Sequence, residues 1–441
     1  MPQKSGPEQN RMGPCRALAA LALLAGLLTA CASPQTVAPP PPPPQVSTAP
    51  VQVAPPVTAA PADDRIRVGL LLPLTGRGAP VGQAMLDAAQ MAVFDLADDR
   101  FLLLPRDTGG TPEGAVAAAQ DALAAGAQLL LGPLFSADAS AVKQAVAIAN
   151  VPILSFSNDW TIAGQNLWVL GFQPRDQVRR VASFAAGRGI ATFGALAPTT
   201  PYGDAAVTAL SDAAAAAGGQ VTRVERYTVG ASDLTAVVRG FAEFERRQAE
   251  LAKERALLQE RGDEASKLAL QRLANQQTFG ELPYQAVLIA EGGQTLREVA
   301  ALLPFFDVDP GPVRILGTGL WDEPGIGREL ALVGGWYAAP APEARNGFEA
   351  RFAELYGQRP PRLATLAYDA TAMAAALARS GDPRPFEPQD LTNPNGFAGI
   401  DGIFRLLPGG QTERGLAVIE VTRRGSIVID PAPQTFQPAA S

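Results

Sequence analysis

The sequence contains no histidine, and its only cysteines are Cys15 and Cys31. Without histidine, the chain has no Ser-His-Asp triad and lacks both the usual general base and the commonest zinc ligand. Because no cysteine follows position 31, the rest of the chain has no disulfide, thiolate metal site or cysteine nucleophile. Lysine is also scarce, since Lys143, Lys253 and Lys267 are the only ones after residue 30. These absences leave paired carboxylates as the main route to catalysis, and no metal or cofactor is expected.

The charge balance is mildly acidic, with 36 basic and 43 acidic side chains and a net charge of −7. The basic residues are spread along the chain and form no dense patch, so nucleic acid is not expected as a partner. A chain of 441 residues with 47% hydrophobic residues can bury more than one ordinary domain core. Two lobes are therefore expected.

The N-terminal segment has the pattern of an export signal. Three basic residues precede an apolar run over residues 17–28, which ends in Leu-Thr-Ala-Cys at Cys31. The run is about twelve residues long, whereas a membrane-spanning helix needs roughly twenty, so residues 1–30 are predicted to be a cleaved signal peptide. The tetrapeptide resembles the bacterial lipobox, which implies that Cys31 carries acyl chains and anchors the protein to a membrane. The alternative is an ordinary secretory signal in which this cysteine is incidental.

The lipobox resemblance also bears on location. Ala32, which follows the cysteine, resembles the corresponding residue of lipoproteins sorted to the outer membrane, so a periplasmic protein held at the inner leaflet of that membrane is expected. Residues 31–62 are predicted to form the lipid anchor and a proline-rich tether, with six consecutive prolines at Pro39–Pro44. About thirty such residues reach roughly 70–100 Å when extended. The alternative is a low-complexity spacer whose length has no function.

Residues 63–430 have the pattern of an α/β protein. Residues 66–72 are predicted to form a buried strand, which is followed by a glycine-containing turn and an amphipathic helix over residues 81–97, and this alternation continues along the chain. A second series begins near Val169. The pattern predicts two doubly wound parallel-sheet lobes with a ligand cleft between them at the carboxyl ends of the strands. Residues 431–441 are expected to form a C-terminal tail.

A helical insertion is predicted at about residues 241–280, which are rich in Glu, Arg, Gln, Ala and Leu. The pattern indicates two helices broken near Gly262 and Asp263. The segment is either a docking surface for a partner protein or a solvated insertion that packs its few apolar residues on its own lobe. The four tryptophans leave a similar choice, between lining a groove and packing in the core.

Several motifs carry a resemblance to known families. The run over residues 68–76, with Gly82 in the next helix, is similar to the opening of leucine-binding-type periplasmic receptors. Further segments resemble the outer-membrane lipoproteins that activate penicillin-binding proteins: residues 131–135, 151–158, 171–177, 202–204, 366–370 and 396–402. The resemblance covers about residues 65–430. It implies a type I periplasmic-binding fold with three crossings between the lobes, used to contact a bifunctional peptidoglycan synthase. The enterobacterial activators of this kind carry a helical-repeat domain where this sequence has the tether.

The receptor resemblance also implies a cleft that clamps an amino acid. Receptors of this family bind the ligand carboxylate with hydroxyls and backbone amides, and the ligand ammonium with an acidic side chain. The hydroxyl candidates here are Thr75, Ser136, Ser155, Ser157, Tyr202 and Thr318. Ser136 could equally cap its helix, and Ser155 and Ser157 could equally be a polar strand end.

The acidic partner for a ligand ammonium is missing or displaced in the sequence. The family places it just after the strand that matches residues 313–316, where this chain has residues 317–321 without a carboxylate. Glu291, Asp322 and Glu323 are the candidate substitutes.

Three functions remain open from the sequence. The leading hypothesis is a non-enzymatic lipoprotein that activates peptidoglycan synthesis by binding a penicillin-binding protein. The alternative is the substrate-binding component of an ABC transporter for amino acids or a related small solute. A carboxylate-based hydrolase is the third, and it requires two acidic side chains facing one cleft.

Overall fold

A computed structural model describes residues 64–230 and 234–436, all of which belong to the compact unit over residues 62–441. The predicted signal peptide, Cys31 and the tether lie outside the described residues. None of the described helices is long and apolar enough to cross a membrane.

Strands and helices alternate along most of the described chain. The strands are β1 (Ile66–Leu72), β2 (Phe101–Asp107), β3 (Leu129–Leu131), β4 (Ile153–Ser155), β5 (Leu167–Val169), β6 (Thr192–Pro198), β7 (Gln220–Tyr227), β8 (Ala286–Ile289), β9 (Arg314–Gly317), β10 (Trp336–Ala339), β11 (Phe397–Gly399), β12 (Gly402–Leu406), β13 (Thr412–Arg414), β14 (Ala417–Thr422) and β15 (Gly425–Asp430). The helices are α1 (Ala79–Leu96), α2 (Pro112–Ala124), α3 (Ser136–Ala145), α4 (Pro174–Ala186), α5 (Pro201–Ala216), α6 (Leu234–Phe241), α7 (Phe244–Arg261), α8 (Glu264–Leu273), α9 (Gly293–Phe305), α10 (Pro342–Tyr356), α11 (Ala364–Ala378) and α12 (Pro388–Leu391).

Lobe 1 is built on a parallel sheet with the order β2-β1-β3-β4-β5. Helices cover both faces of this sheet, which explains why β1 is buried along almost its whole length. Although α10 and α11 come late in the sequence, both pack against α1. Alanines on these helices let α1 and α11 approach closely, and Phe352 of α10 fills the space beside Ala88 and Met91. Lobe 1 is therefore completed by a distant part of the chain.

Lobe 2 is built on a seven-stranded sheet with the order β15-β14-β10-β9-β8-β6-β7. Strands β6 to β10 are parallel, and the edge strands β14 and β15 are antiparallel. A small antiparallel sheet of β11, β12 and β13 precedes β14, and its Phe404 and Leu406 pack into the core of lobe 1.

The chain crosses between the lobes three times: between β5 and α4, between β10 and α10, and between β13 and β14. This topology confirms the predicted fold class of two lobes built on largely parallel sheets, and it matches the three crossings that the resemblance implied.

The two lobes share a close contact between a proline carbonyl and a glycine, at the point where the first strand of each lobe leads into its helix. Pro73 follows β1 and Pro198 ends β6, and a glycine in the first turns of the next helix faces each proline carbonyl. A Cβ atom on Gly82 or on Gly203 would lie 2.1 Å from that oxygen, far inside contact distance. Both motifs quoted from the sequence thus contain a glycine required for close backbone approach.

The helical insertion forms a hairpin of α7 and α8. Gly262 ends α7 in the left-handed conformation, and the Asp263 side chain caps α8 by accepting a hydrogen bond from the Ser266 amide. Three buried leucines, Leu251, Leu258 and Leu273, form a small core between the helices. The hairpin therefore packs largely on itself.

Candidate functional site

A cavity of about 470 Å³ lies between the two lobes. Its walls come from the loops that follow β3, β4 and β5 in lobe 1 and from the segments that follow β9 and β10 in lobe 2. These are carboxyl ends of strands, where ligand crevices of open α/β sheets lie. Most of the wall is apolar: Val81, Leu134, Phe135, Phe156, Phe172 and Leu320. We call this cavity the cleft.

Three of the predicted site residues line the cleft: Ser157, Tyr202 and Asp322. The Tyr202 hydroxyl donates a hydrogen bond to Thr318 Oγ1 at 2.8 Å, and burial raises the pKa of Tyr202 well above its ordinary value. Tyr202 is therefore a neutral phenol. Ser157 Oγ accepts a hydrogen bond from the Asp159 amide at 3.0 Å, which orients it within its loop.

Ser155 and Thr318 are fully buried behind the cleft wall and are not among its lining residues. Ser155 Oγ donates to the Pro133 carbonyl oxygen at 2.9 Å and accepts from the Ser157 amide at 3.2 Å. Thr318 Oγ1 accepts the hydrogen bond from the Tyr202 hydroxyl. Both side chains position the cleft wall and do not face its space.

Thr75 and Ser136 also lie outside the cleft lining. Thr75 Oγ1 donates to Asp107 Oδ2 at 2.6 Å, and Asp107 also accepts from the Leu74 and Thr75 amides. Ser136 is the first residue of α3, and the preceding Phe135 occupies the N-cap position without a side-chain cap. The capping role considered for Ser136 is therefore wrong. In the cleft lining, Phe135 occupies the position that was predicted for Ser136.

Glu291 is not part of the cleft lining either. Its carboxylate accepts hydrogen bonds from the Tyr227 hydroxyl and from the Gly292 amide, each at 3.1 Å. Burial, together with this neighbouring carboxylate, raises the pKa of Tyr227. The Glu291 carboxylate is thus used in hydrogen bonds within lobe 2, at its edge strand β7.

Asp322 is the one acidic side chain among the residues that line the cleft, and it forms a salt bridge between the lobes. Asp322 follows β9 in lobe 2, whereas Arg345 lies on α10 in lobe 1. Both Asp322 oxygens accept from the Arg345 guanidinium, one of them at 3.0 Å from Nη2, and Arg362 Nε lies 3.7 Å away. Burial opposes the charge of Arg345, but the Asp322 carboxylate raises the pKa of Arg345 overall. We call this pair the interlobe bridge.

A second group of charges is buried beside the cleft, at the crossings. Asp401 is fully buried and accepts from Arg362 at 2.8 and 3.1 Å and from Thr365 at 2.6 Å. Asp369 accepts from the Ile400 amide at 2.6 Å and from the Asp401 amide at 3.3 Å. Arg414 donates to the Leu170 carbonyl oxygen at 3.0 Å. We call these residues the hinge cluster, and they join the two motifs quoted from residues 366–370 and 396–402.

The pKa values of the two carboxylates of the hinge cluster are shifted in opposite directions. Burial raises the pKa of Asp369, and the neighbouring Asp401 charge raises it further, to about 7. Burial also acts to raise the pKa of Asp401, but the Arg362 guanidinium outweighs it and holds that pKa below the usual range. Asp401 is therefore the anion that balances the arginines at the crossings.

Sequence reasoning missed the aromatic wall, Arg362 of the cleft lining and Arg345, which pairs with Asp322. Phe172 lies inside a quoted motif, so its position beside the cleft could have been proposed. Arg345 and Arg362 carry no local signal, because they come close to Asp322 only after α10 and α11 pack on lobe 1.

Comparison with known proteins agrees with this geometry. Residues 65–426 match the sequence pattern of a family described as periplasmic binding protein. An uncharacterised protein of Rickettsia prowazekii (strain Madrid E) is 28% identical over 120 residues, which cover 27% of this chain and 32% of the relative. The match thus spans about a third of that relative.

Solved structures share the fold at low sequence identity. One is a putative branched-chain amino acid ABC transporter protein from Rhodospirillum rubrum, with a TM-score of 0.64 and 19% identity over 83% of this chain and 100% of that one. Another is an ABC transporter solute-binding protein from R. palustris in complex with benzoate, with a TM-score of 0.53 and 16% identity over 84% and 97% of the two chains.

Proposed function

Because the chain belongs to the periplasmic binding protein family, we propose that it works by binding and not by catalysis, as a lipid-anchored regulator that contacts a penicillin-binding protein. The family places the folded part in the periplasm or outside the cell. The choice of partner is supported by the motifs that resemble activators of peptidoglycan synthesis. The lipid anchor on Cys31 and the outer membrane are part of the same proposal.

The observation that carries the proposal is the interlobe bridge. An amino-acid receptor needs a carboxylate in its cleft that is available to the ligand ammonium. Here Asp322 is already held by Arg345 at 3.0 Å and has Arg362 nearby. Its side chain is 10% exposed and that of Arg345 is 13% exposed, so the pair is largely withdrawn from water. The Arg345 guanidinium thus occupies the position beside Asp322 where the ammonium group of a ligand would bind.

The energetic consequence follows from the cost of burying charge. An ammonium that enters an apolar cavity without a carboxylate partner loses its hydration and gains little in return. Displacing Arg345 instead would leave a largely buried guanidinium with only the more exposed Glu349 carboxylate, 3.4 Å from its Nε. Both routes disfavour a free amino acid in the cleft, and a ligand is not required to link the lobes.

The hairpin of α7 and α8 supports a role in protein contact, and the predicted tether is consistent with that role. The 18 residues of α7 give a helix about 27 Å long. Leu257 and Leu268 are half exposed on the hairpin, while its other leucines form the small core described above. We include this surface in the proposal as the docking site for the synthase.

The test is retention of penicillin-labelled synthases from solubilised membranes on the immobilised full-length protein. We expect at least one bifunctional penicillin-binding protein to be retained, and we expect Leu257→Asp combined with Leu268→Asp to lower the retained amount at least about tenfold. Leu330→Asp is the matched control, because Leu330 is 67% exposed outside the hairpin. Failure of the unmodified protein to retain any labelled synthase would refute the partner.

A second candidate is a solute receptor for an ABC importer, which the aromatic wall of the cleft favours. Phe135, Phe156 and Phe172 suit an apolar ligand without an ammonium group. The R. palustris structure was determined with benzoate, an aromatic acid of that kind. Binding of such a compound in the cleft, together with no retained synthase, would favour this candidate.

A further inference from the structure

A second cavity, of about 690 Å³, lies on the other side of the first crossing. Its walls come from residues 160–161 of lobe 1, from α4 and α5 of lobe 2, and from the β12–β13 hairpin. Neighbouring residues of the crossing face different spaces: Phe172 and Gln177 line the cleft, whereas Gln173 and Asp176 line this second cavity. We call it the hinge-face cavity, and it is distinct from the cleft.

Trp160 gives the hinge-face cavity a flat apolar surface. Its side chain is 49% exposed, whereas Trp168, Trp321 and Trp336 are 4%, 0% and 6% exposed and belong to the core. Leaving a half-exposed indole on a concave wall sacrifices the burial that stabilises the other three. Trp160 is thus the tryptophan available to a ligand, which settles the choice between groove and core for all four.

Most of the charged side chains of the wall are paired with a charge of opposite sign. Arg179 lies 3.0 Å from Asp176 and 3.5 Å from Glu413, and Arg405 lies 2.6 Å from Glu413. Asp204 pairs with Arg226. These pairs hold the wall in place and leave little field that would select a ligand of one charge sign.

Four polar side chains of the wall have no hydrogen-bond partner within residues 64–230 and 234–436: Arg175, Thr208, Asp212 and Gln411. Together they offer guanidinium donors, carboxylate acceptors, and hydroxyl and amide groups that can do both. Thr208 and Asp212 lie one turn apart on α5, so they present adjacent groups. The available groups suit a neutral ligand that both donates and accepts many hydrogen bonds.

We propose that the hinge-face cavity is a binding site for a neutral oligosaccharide. The apolar face of a sugar ring packs on the Trp160 indole, while its hydroxyls donate to Asp212 and accept from Arg175. The volume lies within the range of about 300–1,000 Å³ that small-molecule sites occupy. Because both lobes contribute to the wall, a bound sugar stabilises the relative position of the lobes.

The test is calorimetric titration of the full chain with cellotriose, maltotriose and chitotriose. We expect saturable binding of at least one of them. Trp160→Ala and Asp212→Asn are each expected to weaken it at least about tenfold, and Trp160→Phe, which retains an aromatic face, to weaken it less than about threefold. Glu354→Gln, an exposed change on α10, is the control and leaves the affinity unchanged.

Three results would overturn the proposal. The first is the absence of binding by all three sugars at millimolar concentration. The second is sugar binding that Trp160→Ala leaves unchanged. The third is saturable binding of tri-alanine, a zwitterionic peptide, without binding of any sugar, because the site would then recognise separated charges.

Discussion

Replacing Asp401 with alanine is expected to lower the free energy of unfolding by about 3–5 kcal/mol. Asp401 is fully buried and is the anion of the hinge cluster, with Arg362 at 2.8 and 3.1 Å and Thr365 at 2.6 Å. The variant leaves Arg362 without its main partner and removes the charge that offsets the buried Arg414. The measurement is denaturant unfolding at neutral pH, followed by circular dichroism.

Glu387→Ala serves as the control, because Glu387 forms an ion pair with Arg384 whose side chains are 40% and 81% exposed. Its removal should leave the unfolding midpoint unchanged, since solvent-exposed pairs contribute little. A loss of less than about 1 kcal/mol in the free energy of unfolding of Asp401→Ala would contradict the description of Asp401 as a buried, ionised carboxylate.

Replacing Trp321 with alanine is expected to lower the free energy of unfolding by a similar amount, about 3–5 kcal/mol. The indole is completely buried in lobe 2 and packs on the backbone of Gly317, where a Cβ atom would lie 2.1 Å from the ring. Tyr337 lies beside it, with ring centroids 6.2 Å apart. Truncation therefore leaves a large cavity next to the strands that carry the cleft.

Trp321→Phe separates packing from hydrogen bonding. The buried Trp321 Nε1 has no hydrogen-bond partner in the part of the chain that the structure describes, so phenylalanine removes an unsatisfied donor while it keeps much of the ring. We expect its cost to be less than half that of alanine. Trp160→Ala, at a half-exposed position, should cost less than about 1 kcal/mol. Equal losses for alanine and phenylalanine at position 321 would contradict the packing account.

Much of the fold was predictable because its signals are local. The strand over residues 66–72 is apolar at every position except Arg67, and a parallel strand covered on both faces favours that pattern. The break in the insertion follows from Gly262 and Asp263, which supply a helix end and a helix cap. By contrast, β10 has only four residues after two glycines, too few to show a period.

The site was less predictable because its chemistry depends on tertiary pairing. Asp322 is visible as an acidic residue just beyond β9, but the sequence does not show that it forms a salt bridge with Arg345 of the other lobe. The same holds for Ser155 and Thr318, whose hydroxyls turn toward Pro133 and Tyr202. Whether a polar side chain faces a cavity or its own scaffold is decided by packing, which local patterns do not record.

We expect the cleft not to bind a free amino acid, because the interlobe bridge occupies the carboxylate that such a ligand needs. The most direct measurement is calorimetric titration of the protein with L-leucine, with benzoate as a ligand that lacks an ammonium group. We expect no saturable binding of leucine in the titration, whatever the result with benzoate. Saturable leucine binding in the micromolar range that is lost in Asp322→Asn would contradict it, since Asp322 would then be serving the ligand and not Arg345.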